Sequence, residues 1–187
     1  ELSNLVCGSN FLKNIDASNL LGLCLLHCEN NPYLEFISVK GNSFCVFESN
    51  FSNNPKLVYV CANEKDIDDF GSYFLRNGIT GVNVNSYCSF IPGGTFYTIQ
   101  GTTKLNTNGN GCDVLDLPLS NLKFSITDGT ISGSTIANIT GNYAIPVQSG
   151  TFTVTPVLEN LSYFTVSPTN TVVTFPTQTS PFNQDFC

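Results

Sequence analysis

Of the residues that could do chemistry, the single histidine, His27, comes first, because imidazole is the usual general base near neutral pH and the usual partner of a Ser or Cys nucleophile. It lies between Leu26 and Cys28 in an apolar run. On a strand those two neighbours point inward together and His27 points out to solvent. It therefore reads first as an ordinary exposed strand residue, with a contact residue of a binding face as the other reading, rather than as a catalytic base. Cys24, His27 and Cys28 invite a zinc reading, but alternation puts His27 and Cys28 on opposite faces and no fourth ligand is near in sequence. No Gly-rich phosphate loop, HExxH helix or GxSxG elbow is present. Asp and Glu are scattered, with nothing to bring two carboxylates together for glycoside hydrolysis. No catalytic residue is expected, and the chain reads as non-catalytic.

Two further sets of side chains have a spacing that matters. Asn106, Asn108, Asn110, Asp113 and Asp116 place oxygens at the alternating positions of a calcium loop. Three of the five are neutral amides and the leading position is Asn106 rather than an acid, so charge is scarce for a hard dication. An Asn/Gly turn that needs no cofactor is the other reading, and the favoured one. Among the eight cysteines, Cys7 and Cys28 recur 21 residues apart at an inward repeat position, where a free Cys behaves as a small buried hydrophobe. Cys61, Cys88, Cys112 and Cys187 stand at the edges of elements and are expected to pair as Cys61 with Cys88 and Cys112 with Cys187, each bridge contributing about 2 to 4 kcal/mol. An even number of cysteines without zinc-type CxxC pairs favours an oxidising compartment.

The elements that must position these residues fall into two halves. Thr occurs once in residues 1–91 and 18 times in residues 92–187, while six of the eight Cys lie in the first part. The stretch Ile91-Pro92-Gly93-Gly94 has the turn chemistry of a junction, so the expected domains are 1–91 and 92–187. In the first, the template L-x-x-L-x-L-x-x-N appears as Leu2, Leu5, Cys7, Asn10, as Leu23, Leu26, Cys28, Asn31, and as Leu34, Ile37, Val39, Asn42. A fourth copy, Leu12, Ile15, Ala17, has its Asn one place early at Asn19. Two copies make a coil of about 21 or 22 residues, the period of leucine-rich repeats. The L-x-L triplets predict short strands with Leu5, Cys7, Leu26, Cys28, Ile37 and Val39 buried, and each Asn turns the chain by bonding backbone groups that the bend leaves open. Val58 to Cys61 is the expected last strand. Asp66 to Arg76, acidic at its start and basic at its end, is the expected capping helix, with Phe70, Tyr73 and Phe74 on one face.

The second half predicts strands at Phe96 to Gln100, Asn121 to Thr127, Asn142 to Val147, Thr151 to Val157, Tyr163 to Val166 and Thr171 to Phe175, between Gly, Pro, Asn and Ser breaks. Six or seven short strands predict an Ig-like sandwich. The whole chain is thus expected to be mainly β: a leucine-rich repeat solenoid fragment with its cap, then a β-sandwich.

Charge narrows the partners. Fourteen acids against seven bases give a net charge of −7 with no basic run, so nucleic acid and anionic membranes are unfavourable partners. No apolar run reaches 18 residues, and direct membrane insertion is not expected. The first residues already lie inside the repeat pattern, so the chain reads as a piece of a larger polypeptide.

The run Asn53 to Cys88 resembles the terminal repeat and cap of leucine-rich repeat surface proteins of the Bacteroidota. Thr98-Ile-Gln-Gly, the Asn106 to Asp113 loop, Asn121 to Asp128 and Gly141 to Val147 are similar to prealbumin-like β-sandwich repeats of bacterial adhesins, related to the SdrD B and carboxypeptidase-regulatory-like modules. The resemblance implies an exported cell-surface protein, often a substrate of the type IX secretion system, whose partners are proteins or glycans at the cell surface. It also implies a calcium-binding segment near Asn106. The function expected is extracellular recognition or adhesion. A structural stalk or spacer, and an accessory binding region of a larger secreted enzyme, are the alternatives.

Overall fold

The computed structural model describes residues 2–89 and 95–187; the expected junction at 91–94 lies outside the described residues. The chain divides into two compact units, Glu1–Cys88 and Ser89–Cys187, and is mainly β. The first unit is built from three-residue strands: β1 (Asn4–Val6), β2 (Asn14–Asp16), β3 (Leu25–His27), β4 (Phe36–Ser38), β5 (Tyr59–Cys61) and, after the helix α1 (Ile67–Arg76), β6 (Asn83–Asn85). Every pairing among them is parallel. Strand β1 lies beside β3, and β2, β4, β5 and β6 form a second sheet in that order. Leu5 pairs with Leu26, and Ile15, Ile37, Val60 and Val84 make a single row. Rungs are therefore roughly 22 residues apart in sequence, the chain needed to leave a sheet edge and return to it in parallel. The strands sit one residue earlier than the L-x-L triplets predict, so Cys7, Cys28 and Val39 follow a strand instead of ending it.

Asparagine closes these short strands because its amide serves several backbone groups at once. Asn31 Nδ2 donates to the carbonyls of Cys7 (3.1 Å) and Cys28 (3.0 Å), its Oδ1 accepts the Leu12 N–H (3.0 Å), and Asn42 Nδ2 donates to the Ala17 carbonyl (2.9 Å). Between the rungs Leu23, Leu26, Leu34, Ile37, Val39 and Val60 are fully buried, each such side chain contributing about 1.5 to 3 kcal/mol of transfer free energy. Leu5 and Cys7, expected to be buried, are half-buried, because their rung has a neighbour on one side only. His27 also departs from expectation: it is half-buried, held between Val6 on one rung and Asn50 on the next. Helix α1 begins with Asp68 and Asp69 and ends with Arg76, which suits the helix dipole. It buries Ile67, Phe70, Tyr73 and Phe74, and Phe51 packs against Phe70 at 5.5 Å and edge-on to Tyr73 at 5.3 Å.

The second unit contains β7 (Tyr97–Thr102), β8 (Lys104–Leu105), β9 (Leu117–Pro118), β10 (Lys123–Thr127), β11 (Ser132–Ile136), β12 (Asn142–Val147), β13 (Gly150–Val157), β14 (Thr171–Phe175) and β15 (Phe182–Asn183). One sheet has the order β11-β10-β13-β14 and a second β12-β7-β15. Alternate residues face inward: Phe124 and Ile126, Phe152 and Val154, Val173 and Phe175 from the first sheet, Ile99, Tyr143, Ile145 and Val147 from the second. Phe124 meets Tyr143 at 4.3 Å and Phe175 stacks on Tyr97 at 4.8 Å, a face-to-face packing consistent with a β-sandwich. Tyr163 to Val166, expected as a strand, is a turn followed by irregular chain. Its aromatic and β-branched residues have strand propensity but no partner strand and no buried face, and propensity alone does not make a strand. Ser132–Ile136, poor in such residues, is a strand because β10 pairs with it along its whole length.

Candidate functional site

The residues first considered for chemistry do not converge. Cys24 is bonded to Cys45, and the Cys28 thiol points inward, donating to the Asn50 carbonyl at 3.6 Å. Burial pushes the Cys28 thiol well above its ordinary range, with the nearby Cys7 and Glu29 adding to the shift, and burial followed by Glu29 raises Cys7 as well. Both thiols therefore stay protonated near neutral pH, which makes them poor nucleophiles and poor metal ligands. His27 shares no cluster with them, and among the described residues no three or more His, Cys, Asp or Glu side chains are grouped as metal ligands.

In the loop Asn106 to Asp116 four of the five candidate residues engage a side-chain oxygen within the loop. Asn106 Oδ1 accepts the Gly109 N–H, Asn108 Oδ1 the Asn110 N–H, Asp113 Oδ1 the Leu115 N–H and Asp116 Oδ2 the Asp113 N–H, at 2.7 to 3.1 Å. Asn110 Nδ2 reaches Asp113 Oδ2 at 3.3 Å. Successive Asx turns of this kind shape the loop by themselves. Four of the five residues thus spend a side-chain oxygen on shaping the loop, which fits the turn reading.

Three disulfides brace the elements. Cys61–Cys88 (Cα–Cα 5.3 Å) ties the segment after β6 back to β5, where Tyr59 Oη donates to Asn85 Oδ1 at 2.6 Å and Lys40 Nζ to the Ser86 carbonyl at 2.6 Å. Cys112–Cys187 (5.8 Å) ties the Asn/Asp loop to the last residue of the chain. Cys24–Cys45 (4.9 Å) links the residue before β3 to the residue before the turn at Val46–Glu48, and sequence reasoning did not reach it. Its signal was the 21-residue separation, the same step that relates Cys7 to Cys28, which places both residues at one point of neighbouring turns.

The best candidate for a working surface is one end of the second unit. At the 102 end of β7, the 157 end of β13 and the 171 start of β14, register brings three loops together: 106–116, 137–141 and 158–170. Thr103 N donates to the Gly141 carbonyl, and Ser167 and Cys187 exchange two backbone bonds. On these loops and the short β9 the side chains of Val114 (89% exposed), Leu115 (84%), Leu117, Ile139, Leu161, Tyr163 (81%) and Phe164 stand in solvent. The opposite end exposes Phe96 and Ile131. Isolated exposed apolar residues are ordinary, whereas a concentration of them on one face marks an interaction site. Asp113, Asp116 and Glu159 are interspersed among them in sequence, while Lys104 Nζ is held by the Asp113 carbonyl. Sequence reading passed over Val114-Leu115 because it treated the segment as an oxygen-ligand loop; an aliphatic pair between two aspartates was the available sign. Comparison of the chain with protein-family models, with curated proteins and with solved structures gave no match.

Proposed function

We propose that this chain is a non-catalytic recognition or adhesion portion of a larger extracellular surface protein, in which leucine-rich repeat coils and their cap precede a prealbumin-like β-sandwich. The observation that carries the proposal is the set of seven large apolar side chains gathered at one end of the second unit. Aliphatic groups such as Val114, Leu115 and Leu161 cannot hydrogen-bond a sugar hydroxyl, and the acids among them oppose a phosphate-bearing lipid surface. A protein with an apolar depression and a basic rim fits both features, since interface cores are apolar and rims polar. The parallel ladder with its repeating asparagines supports the repeat reading of the first unit. Three disulfides support a location outside reducing compartments, and among the described residues no helix is long and apolar enough to cross a membrane.

The test is a binding screen of the purified chain against arrays of extracellular proteins and of glycans, beside a hydrolase panel. The expected result is a protein partner whose affinity falls at least tenfold in the Val114→Asp/Leu115→Asp double variant, with no turnover of any substrate. Binding to glycans alone, or binding indifferent to that variant, would remove the loops from the site. Turnover that survives repurification would remove the non-catalytic reading.

A further inference from the structure

We infer that Asn110-Gly111 is a self-modification site, at which the chain converts its own asparagine into aspartate or isoaspartate with water as the only co-reactant. The chemistry at Asn110 stands apart from any binding function.

The reaction begins when the backbone nitrogen of the residue after an asparagine attacks the side-chain carbonyl carbon. An N–Cγ bond forms, the Cγ–Nδ2 bond breaks, and the proton of the attacking amide leaves with Nδ2 as ammonia. A cyclic imide remains. Water then opens the imide at either carbonyl, adding hydroxyl to carbon and a proton to nitrogen, which frees a carboxylate on the side chain in aspartate or on the former main chain in isoaspartate. Glycine favours the first step because it has no Cβ to crowd the nitrogen. Asn-Gly steps begin at Asn77, Asn108 and Asn110.

All of them lie at the surface, and a Cβ built at Gly78, Gly109 or Gly111 meets nothing within 4 Å. Access does not separate them. The attacking nitrogens do, because a bonded N–H must be freed before it can close on Cγ, and the net worth of that bond slows the step roughly twofold to tenfold. Gly78 N donates to the Leu75 carbonyl at 3.2 Å, and Asn77 itself is fixed at the end of α1, its N–H (3.1 Å) and its Nδ2 (2.8 Å) both on the Tyr73 carbonyl. Gly109 N donates to Asn106 Oδ1 at 2.9 Å. Gly111 N, by contrast, has no acceptor among the described residues. The Asn110 side chain is held by one long contact, Nδ2 to Asp113 Oδ2 at 3.3 Å.

That same contact gives the product its effect. Once the amide is a carboxylate, it faces Asp113 as a like charge at hydrogen-bond distance, and the two repel. Lys104 Nζ is engaged with the Asp113 carbonyl. Asp113 Oδ1 holds the Leu115 N–H at 2.7 Å, so the repulsion acts on the chain that displays Val114 and Leu115. The modification is a one-way change of charge beside those exposed side chains, and its bearing on recognition rests on the function proposed above.

The test incubates the full, disulfide-bonded chain in warm, mildly alkaline buffer and follows each Asn-Gly step by peptide mapping with mass spectrometry, beside an isoaspartate-specific methyltransferase assay. Asn110 is expected to react first, at least tenfold faster than Asn77, with Asn108 between them. The reduced chain in guanidinium is expected to lose this ranking, because every peptide nitrogen is then free. Gly111→Ala is expected to suppress the reaction at Asn110 while Asn108 continues to react. Equal rates in the folded chain, Asn77 or Asn108 reacting ahead of Asn110, or a ranking that persists in guanidinium would overturn the inference. Asn110→Asp supplies the product charge without the reaction, and in it amide exchange at Leu115 is expected to be at least tenfold faster than in the parent; unchanged exchange would overturn the effect on the loop. No readout involves a partner, so the binding screen can fail while the modification proceeds, or the reverse.

Discussion

At Gly101 in β7 the backbone just after the last strand, β15, comes closer than any side chain permits. A Cβ built there would lie 1.7 Å from the carbonyl oxygen of Gln184 and 3.1 Å from the Tyr143 ring. That carbonyl accepts the Tyr143 hydroxyl at 2.6 Å, and the Gln184 N–H donates to Gln100 at 2.8 Å. The methyl group of Gly101→Ala has no flexible neighbour to push aside, so β15 must leave its place beside β7. The expected cost is about 3 kcal/mol, the upper end of overpacking penalties, read as a lower urea midpoint of the second unit, with Phe186 losing its burial. A variant as stable as the parent would show that β15 does not lie where Gln184 places it. This position was not legible in the sequence, where Thr98-Ile-Gln-Gly is one more Gly-terminated strand signal, because the close approach comes from a segment more than eighty residues away. Cys61, Cys88, Cys112 and Cys187 were legible as edge residues, since an element's end can be read locally. Cys24 and Cys45 were hidden because one was drawn into a metal reading and the other belongs to the irregular turn Val46–Glu48 and its preceding cap.

At the scale of the element, α1 shows local and tertiary signals in agreement, and one residue out of line with both. Its acidic start, basic end and aromatic face were all readable. Gly71 sits in its interior on the exposed side, with nothing within 4 Å of a built Cβ. A glycine there costs helix stability without any packing reason, so Gly71→Ala is expected to stabilise the first unit by about 1 kcal/mol, seen as a higher midpoint in urea. No change, or a loss, would mean that the open space beside Gly71 is filled. Strands β1 to β5 were legible to within a residue because apolar and Asn positions recur at one step, each copy supporting the others, whereas β6, beyond the expected last strand at Val58 to Cys61, lies past the helix where the pattern stops and was not foreseen. In the second unit single strands had to be read without repetition. There Asn142–Val147 and Thr171–Phe175 declared themselves by composition, Ser132–Ile136 did not, and Tyr163 to Val166 carried a strand's composition onto an exposed loop. That loop misled for the reason that makes it interesting: its aromatic residues are spent on the surface.

For the whole molecule, the composition step in Thr and Cys marked two regimes because a parallel ladder of three-residue strands and sheets of longer, mostly antiparallel strands draw on different residues, and two compact units follow. What composition could not give is where each unit hides ionisable groups. Tyr59 in the first unit is buried, and burial holds its phenol proton to well above the ordinary value of 10.0, more than the hydrogen bonds around it lower it. Tyr143 in the second unit is raised the same way by burial, with Asp185 adding to it, and Cys28 is a third such group. A group whose folded pKa lies above its unfolded one contributes stability that is fully present below the unfolded pKa. As pH rises past 9.0 for the thiol and 10.0 for the phenols, the unfolded chain releases protons that the folded chain keeps, and unfolding becomes easier. In that window each fully shifted group costs about 1.4 kcal/mol per pH unit. Both units are therefore expected to lose urea resistance above about pH 9 to 10, the first more steeply because it holds two of these three groups and the raised Cys7 thiol besides. Urea titrations at a series of alkaline pH values, with phenolate absorbance followed in parallel, measure this directly. The phenolate signal of two tyrosines should appear together with unfolding, not before it. Tyr143→Phe should flatten the alkaline slope of the second unit while lowering its stability at neutral pH, because the hydrogen bond to Gln184 goes with the hydroxyl. Ionisation of all seven tyrosines within a folded chain would place Tyr59 and Tyr143 in contact with water and remove the cause assigned to their shifts.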